Sequence, residues 1–215
     1  MKIRAALTLS LLAAGGVGAS AAAVASQAGA RDWVIGPIIG ARNYSVGMPT
    51  RPTPLPGGGL QIDLPRAPGS VHYVTFPHGS LAGKRRIVMR YRVQAAPGVR
   101  IEPTTAPHMN SMITLYFQRA GDNWKARGPF EAYRWYATFA THSPMKAGEY
   151  LMVAPLDANW TAVQTSKAHS SRGAFQAALA NADQVGFVLG GGDGFGHGVH
   201  ATGPARLIVT EFRVE

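Results

Sequence analysis

Arg86-Ile87-Val88-Met89-Arg90-Tyr91-Arg92-Val93 alternates apolar and basic side chains with a period of two. Successive side chains of an extended strand point to opposite faces. Ile87, Met89, Tyr91 and Val93 therefore share one face, and Arg86, Val88, Arg90 and Arg92 share the other. Ile113-Thr114-Leu115-Tyr116-Phe117-Gln118 repeats the pattern, with Ile113, Leu115 and Phe117 inside and Thr114, Tyr116 and Gln118 opposed. In the stretch from Tyr133 to Phe139 the core set is Tyr133, Trp135, Ala137 and Phe139, and Arg134, Tyr136 and Thr138 oppose it. Trp33 to Ile39, Leu60 to Leu64, Val71 to Phe76, Tyr150 to Val153, Val185 to Leu189 and Ala205 to Val214 are further strand candidates, bounded by Gly, Pro or Asn/Asp clusters. One segment departs from the period: Ser171 can cap a helix through about Ala182, with Phe175 and Leu179 one turn apart. About nine short strands, one short helix and no fixed repeat predict an all-β chain. The expected fold is a two-sheet antiparallel β-sandwich of the jelly-roll type.

The beginning of the chain reads as an address. Lys2 and Arg4 precede an apolar run from Ala5 to Leu12, and Ala23-Val24-Ala25 supplies the small residues of a cleavage site. Residues 1–25 are expected to be a secretory signal, cut between Ala25 and Ala30, with residues 31–215 as one β-sandwich domain that is secreted or periplasmic. Losing Lys2 and Arg4 lowers the formal charge from +10 to +8. No later segment is apolar for long enough to span a bilayer, so no stable membrane span is expected after signal removal. The chain has no cysteine. That excludes a disulfide scaffold, a thiol nucleophile and any Cys-based metal site, and leaves an exported domain to rely on its own core.

The outward sets share a chemistry. Arg90, Arg92, Tyr116, Gln118, Arg134 and Tyr136 would pave one sheet with aromatic rings, amides and guanidinium groups if their strands are neighbours. Sugar rings stack on Tyr or Trp through their C–H faces, and their hydroxyls suit planar amide and guanidinium donors. Arginine also clamps carboxylates bidentately, which fits an acidic saccharide. Trp124 joins the set as a large aromatic in the polar loop Arg119-Ala120-Gly121-Asp122-Asn123-Trp124-Lys125.

Gly190-Gly191-Gly192-Asp193-Gly194-Phe195-Gly196-His197-Gly198 follows a strand and precedes another. It has neither the spacing nor the following helix of a phosphate-cradling loop. Two readings stand: glycines that let a ligand approach the backbone while Asp193 and His197 hydrogen-bond it, or a sharp turn that needs glycine. A faint likeness to a calcium-binding nonapeptide repeat would make Asp193 the best calcium ligand, but Gly196 stands where an Asp is needed and there is one copy. No cofactor and no metal site is the expectation. His197 and His200, three apart on an extended chain, point to opposite faces.

Catalytic patterns are missing. There is no G-x-S-x-G elbow and no H-E-x-x-H, and no pair of carboxylates is placed for glycoside hydrolysis. Tyr116-Phe117-Gln118-Arg119-Ala120-Gly121 looks slightly like the Tyr-Phe-Lys-x-Gly signature of alginate lyases, with the lysine replaced and the glycine shifted. Nucleic acid is not an expected partner despite the charge, because no binding module and no basic helix is present.

Tyr91-Arg92-Val93, Ile113 to Gln118, Tyr133-Arg134-Trp135, Trp160, Val185 to Gly191 and the closing strand Leu207 to Val214 together resemble secreted carbohydrate-binding modules of the galactose-binding-like jelly-roll type, over about residues 86–214. The resemblance implies a sandwich and glycan binding on a sheet or its loops, and it carries no catalytic residues. The expected function is an exported, non-catalytic, carbohydrate-binding β-sandwich whose partner is a glycan or cell-envelope polysaccharide, with acidic saccharides among the candidates. A polysaccharide-cleaving lyase or hydrolase and a structural or adhesive envelope protein are the alternatives.

Overall fold

The computed structural model describes residues 29–69, 71–191 and 195–215. The expected signal segment and Asp193 lie outside the described residues. In chain order the strands are β1 (Val34–Gly36), β2 (Ile38–Ile39), β3 (Arg42–Asn43), β4 (Thr53–Pro54), β5 (Leu60–Asp63), β6 (His72–Pro77), β7 (Arg86–Ala95) and β8 (Ile101–Pro103). They continue with β9 (Ser111–Arg119), β10 (Arg134–Tyr136), β11 (Ser143–Pro144), β12 (Gly148–Pro155) and β13 (Thr161–Ala162). After helix α1 (Arg172–Ala180) come β14 (Ala182–Gly191), β15 (Val199–Ala201) and β16 (Ala205–Val214).

Two antiparallel sheets carry the fold. The front sheet has the order β1-β6-β14-β9-β10-β13, with β11 also pairing β9, and the back sheet has the order β12-β7-β16-β5-β4. The long strands pass between sheets as the chain advances: β5 back, β6 front, β7 back, β9 front, β12 back, β14 front, β16 back. This crossing pattern makes a sandwich rather than two adjacent meanders. Among the described residues no helix is long and apolar enough to cross a membrane.

The alternation read from β7 and β9 sets what lies between the sheets. Ile87, Met89, Tyr91 and Val93 of the back sheet, and Ile113, Leu115 and Phe117 of the front sheet, belong to one buried cluster. Two aromatic groups anchor it. At one end Trp33 meets Phe76 at 4.6 Å and Phe212 at 5.1 Å, joining front strand β6 to back strand β16. At the other, Phe175 of α1 lies 4.8 Å from Trp135 and 5.9 Å from Phe117. Phe175, Ala178 and Leu179 are the buried stripe of α1, so the helix closes one end of the core. It stops at Ala180, because Ala182 already begins β14.

Two expectations for the inner face fail locally. β10 spans only Arg134–Tyr136, and a single 3-10 turn follows at Phe139–Thr141. The period of two is lost there, and Phe139 is 70% exposed rather than in the core. Val88, placed among outward residues, is buried between its cross-strand neighbours Val153 and Arg213.

Because Phe175 fills the space between Trp135, Trp160 and Phe117, Phe175→Ala is expected to lower unfolding free energy by roughly 3–5 kcal/mol. Urea melts check this, and a loss below about 1 kcal/mol would mean that α1 is not part of the core.

Candidate functional site

The outer face of the front sheet brings most of the predicted residues together. In the β9–β10 pair Tyr136 lies opposite Tyr116, and Arg134 opposite Gln118. On the other side of β9, Gly186 of β14 is paired with Tyr116 and leads on to β6, which contributes Tyr73. Arg90 and Arg92 do not join them. They lie on β7, in the back sheet, where β12 and β16 supply acids: Glu211 at 2.9 Å from Arg90 and Glu149 at 3.8 Å from Arg92. The single paved sheet expected from the sequence is therefore two faces with different chemistry.

The front face is also not open. Tyr116 is 0% exposed, Tyr136 2%, Arg134 6% and Gln118 8%. Tyr73, Tyr116, Tyr136 and Val188 form a second small apolar cluster on the outside of the sheet. The Tyr73 and Tyr136 hydroxyls are 2.7 Å apart. The Tyr116 hydroxyl donates to Gln118 Oε1 at 2.9 Å, and Gln118 Nε2 donates to Asp122 Oδ2 at 3.0 Å. Arg134 Nε lies 2.9 Å from the same carboxylate oxygen, and that carboxylate is fully buried.

The loop after β9 forms the cover on one side. Asp122 Oδ1 accepts the Trp124 backbone N–H at 3.1 Å, a local turn typical of aspartate. Trp124 has φ +64°, a left-handed conformation that a bulky side chain adopts only when its surroundings hold it. They do: Arg134 Nη2 donates to the Trp124 carbonyl at 3.1 Å and its guanidinium carbon lies 4.8 Å over the indole. The indole in turn meets Tyr73 edge-on at 5.2 Å.

Burial pushes Tyr73, Tyr116 and Tyr136 above the ordinary phenol range. All three are neutral near pH 7, so they pack and hydrogen-bond rather than take up a proton from a substrate. Burial also raises the Asp122 carboxyl, and the neighbouring Arg134 charge only partly compensates. For Arg134, burial works against the charge, but the Asp122 carboxylate beside it helps hold the guanidinium above its ordinary value.

The Gly-rich loop covers the other side. Phe195 stacks on Tyr136 at 4.9 Å with 16° between the rings. Gly196, at φ +71°, lies so close that a Cβ there would come within 2.7 Å of the Tyr73 ring. The backbone needs glycine because it packs onto aromatic side chains. Beneath it, His72 is fully buried and its Nδ1 accepts the Val199 N–H at 3.1 Å. His197 is exposed. His200 faces Glu102 at 3.5 Å, and among the described residues no group of three His, Asp or Glu is placed to hold a metal.

One side of the covered cluster opens into a groove of about 300 Å³. Tyr73, Trp124, Gln118 and Asp122 reach it from the cluster, Asp183 and Gln184 from β14, and Pro37 and Ile38 form part of its lining near β1. Of the predicted residues, Trp124 and Gln118 touch this space; Tyr116, Arg134 and Tyr136 lie beneath as support. Tyr73 and Gln184 were missed although their signal was present, since Val74/Phe76 and Val185/Phe187 alternate inward and leave Tyr73 and Gln184 outward. Asp122 reads as a turn residue in the sequence, and its contact with Arg134 depends on the loop folding back. No family model matches this chain, and no curated protein matches it.

Burial lowers the His72 pKa from 6.5 to about 4. A histidine kept neutral by the fold adds stability that is present above pH 6.5 and is lost as pH falls through 4, because the unfolded chain takes up the proton first. Burial lowers His142 too, and it acts in the same direction. Between pH 7 and 4.5 the His72 contribution alone is expected to fall by roughly 2 kcal/mol. His72→Asn, which keeps an acceptor for Val199, should lose correspondingly less over that window in urea melts. An equal loss in the two proteins would remove His72 as the cause.

Proposed function

We propose that this chain is an exported, non-catalytic, carbohydrate-binding β-sandwich that holds saccharide in the groove beside Trp124. The observation that carries the reading is the groove's lining. The half-buried indole of Trp124 supplies an apolar face, Asp183 and Gln184 supply a carboxylate and an amide at the groove's edge, and the buried Tyr73 and Gln118 and the buried Asp122 carboxylate back the lining. Saccharide recognition asks for this combination: stacking for the ring's C–H face, and bidentate polar groups for adjacent hydroxyls. The resemblance of residues 86–214 to galactose-binding-like modules and the signal-like first 25 residues are consistent with it.

The groove's charge favours a neutral sugar over an acidic one. Arg134, the expected carboxylate clamp, is already paired with Asp122 and spans to the Trp124 carbonyl. Arg119 also lines the groove, but its guanidinium carbon lies 4.6 Å over the Tyr133 ring. Asp122 is likewise consumed by Arg134, Gln118 and the Trp124 N–H, which leaves the exposed Asp183 as the carboxylate at the groove that accepts hydroxyl protons and would repel a uronate.

Retention on a panel of immobilised neutral and acidic glycans tests the reading. Trp124→Ala and Gln184→Ala are each expected to weaken retention on a neutral glycan by about tenfold. Gln184 is half-buried on the outer sheet surface, and among the described residues its amide donates only to the exposed Asp183 side chain, so its variant should melt close to the wild type. Binding should change little between low and high salt, as expected for stacking and neutral hydrogen bonds. Tyr116→Ala instead belongs to the support and should cost roughly 3 kcal/mol of stability. Wild-type retention in both groove variants, or no retention on any glycan, would sink the proposal.

A further inference from the structure

We infer that the opposite end of the front sheet carries a second, independent site for a small amphiphilic anion, an apolar body bearing one carboxylate. β9 runs from Ser111 to Arg119, and the saccharide groove sits at its Arg119 end. At the Ser111 end lies a separate cleft of about 430 Å³. Eight residues of extended chain separate the two, about 27 Å at 3.3–3.4 Å per residue. The inference does not rest on the saccharide reading.

The floor of the cleft is apolar and incompletely covered. Val99 and Ile101 pack against the main core yet are only partly buried. Met109, in the turn before β9, is 45% exposed, and the buried Met145 lies on the opposite side of the same space. Unbranched thioether side chains adapt to irregular apolar ligands. A volume of this size is within the range of small-molecule sites, and its lining divides between apolar residues and a polar set that includes Arg100, Glu102, His108 and Lys146.

The rim sets the sign of the ligand. Arg100, Glu102, His108 and Lys146 are its ionisable groups. Glu102 is already committed, 2.8 Å from Arg100 Nε and 3.5 Å from His200 Nε2. Lys146 makes no ion pair among the described residues, and Arg100 remains largely exposed beyond its contact with Glu102. Two fixed cations against one occupied carboxylate leave the mouth positive over an apolar floor. That charge complements an anion whose body can enter the cleft. Aliphatic and aromatic carboxylates share this chemistry.

Titration of the isotopically labelled protein with octanoate, naphthoate and uncharged octanol, followed by amide chemical shifts, tests the site. At least one carboxylate is expected to shift signals of residues 99–111 and 145–147, and which binds tighter identifies the body as aliphatic or aromatic. Octanol should bind the same residues about fivefold more weakly, the effect of one partly exposed charge interaction. Lys146→Glu, a change at an exposed position, should weaken the carboxylate roughly tenfold and leave octanol unchanged. The inference is overturned if neither carboxylate perturbs these residues. Equal affinity for octanol and the carboxylates, or an unchanged carboxylate affinity in the Lys146 variant, overturns it as well.

Discussion

The buried Arg134–Asp122 pair is the interaction on which the outer face of the front sheet depends. A guanidinium withdrawn from water must keep an anion and further acceptors, or its desolvation is uncompensated. Asp122 is four residues beyond Gln118, on the loop that leaves β9, so pairing with Arg134 brings that loop back over the sheet. The same carboxylate takes the Gln118 amide and the Trp124 N–H. Once the loop is pinned in this way, the indole lies against Tyr73 and over Arg134. The ion pair converts a decorated sheet surface into a small second core with one open edge.

That conversion explains what could be read from the residues alone and what could not. The inward faces of β7, β9 and β14 follow from alternation, because a side-chain period of two is a property of the backbone. Ile87, Met89, Leu115 and Phe187 are accordingly all buried between the sheets. The neighbour relation between Tyr116 and Tyr136 follows from the same pattern once β9 and β10 pair. Sheet membership is different. Nothing local to Arg90 or Arg92 distinguishes the front sheet from the back, and that choice is made by long-range crossings. Nor does outward mean exposed. Tyr116 and Arg134 point away from the main core, yet loops from residues 120–127 and 195–198 cover them, and loop placement has no periodic signal.

The Gly-rich stretch shows the same point from the side of the backbone. Glycine at 196 permits both a left-handed φ and close contact with the Tyr73 ring. Of the two readings open in the sequence, the packing supports the steric one for this glycine. Its neighbour Phe195 has a defined place on Tyr136, while His197 faces solvent. The turn thus does for the far side of the tyrosine cluster what Asp122 does for the near side. His72 beneath it ties the turn to the sheet through Val199, so the outer cluster and the main core share one strand, β6.

The excess positive charge takes on a narrower meaning once the acids are placed. Along the back sheet Arg86 meets Glu215, Arg90 meets Glu211, Arg92 meets Glu149, Arg206 meets Asp63, and Arg213 meets Glu211. Partly exposed pairs of this kind contribute little stability. Their consequence here is electrostatic: the arginine row that alternation predicts is matched by acids across the strands and does not stand as a bare cationic comb. Arg134 is neutralised in the same way, inside the front face. A high net charge can still draw the chain toward anionic surfaces at low salt. Selectivity, however, must come from places where polar groups have direction and apolar surface is left open. The edge of the tyrosine cluster and the Met109 cleft meet that condition, whereas the most regular basic strand does not.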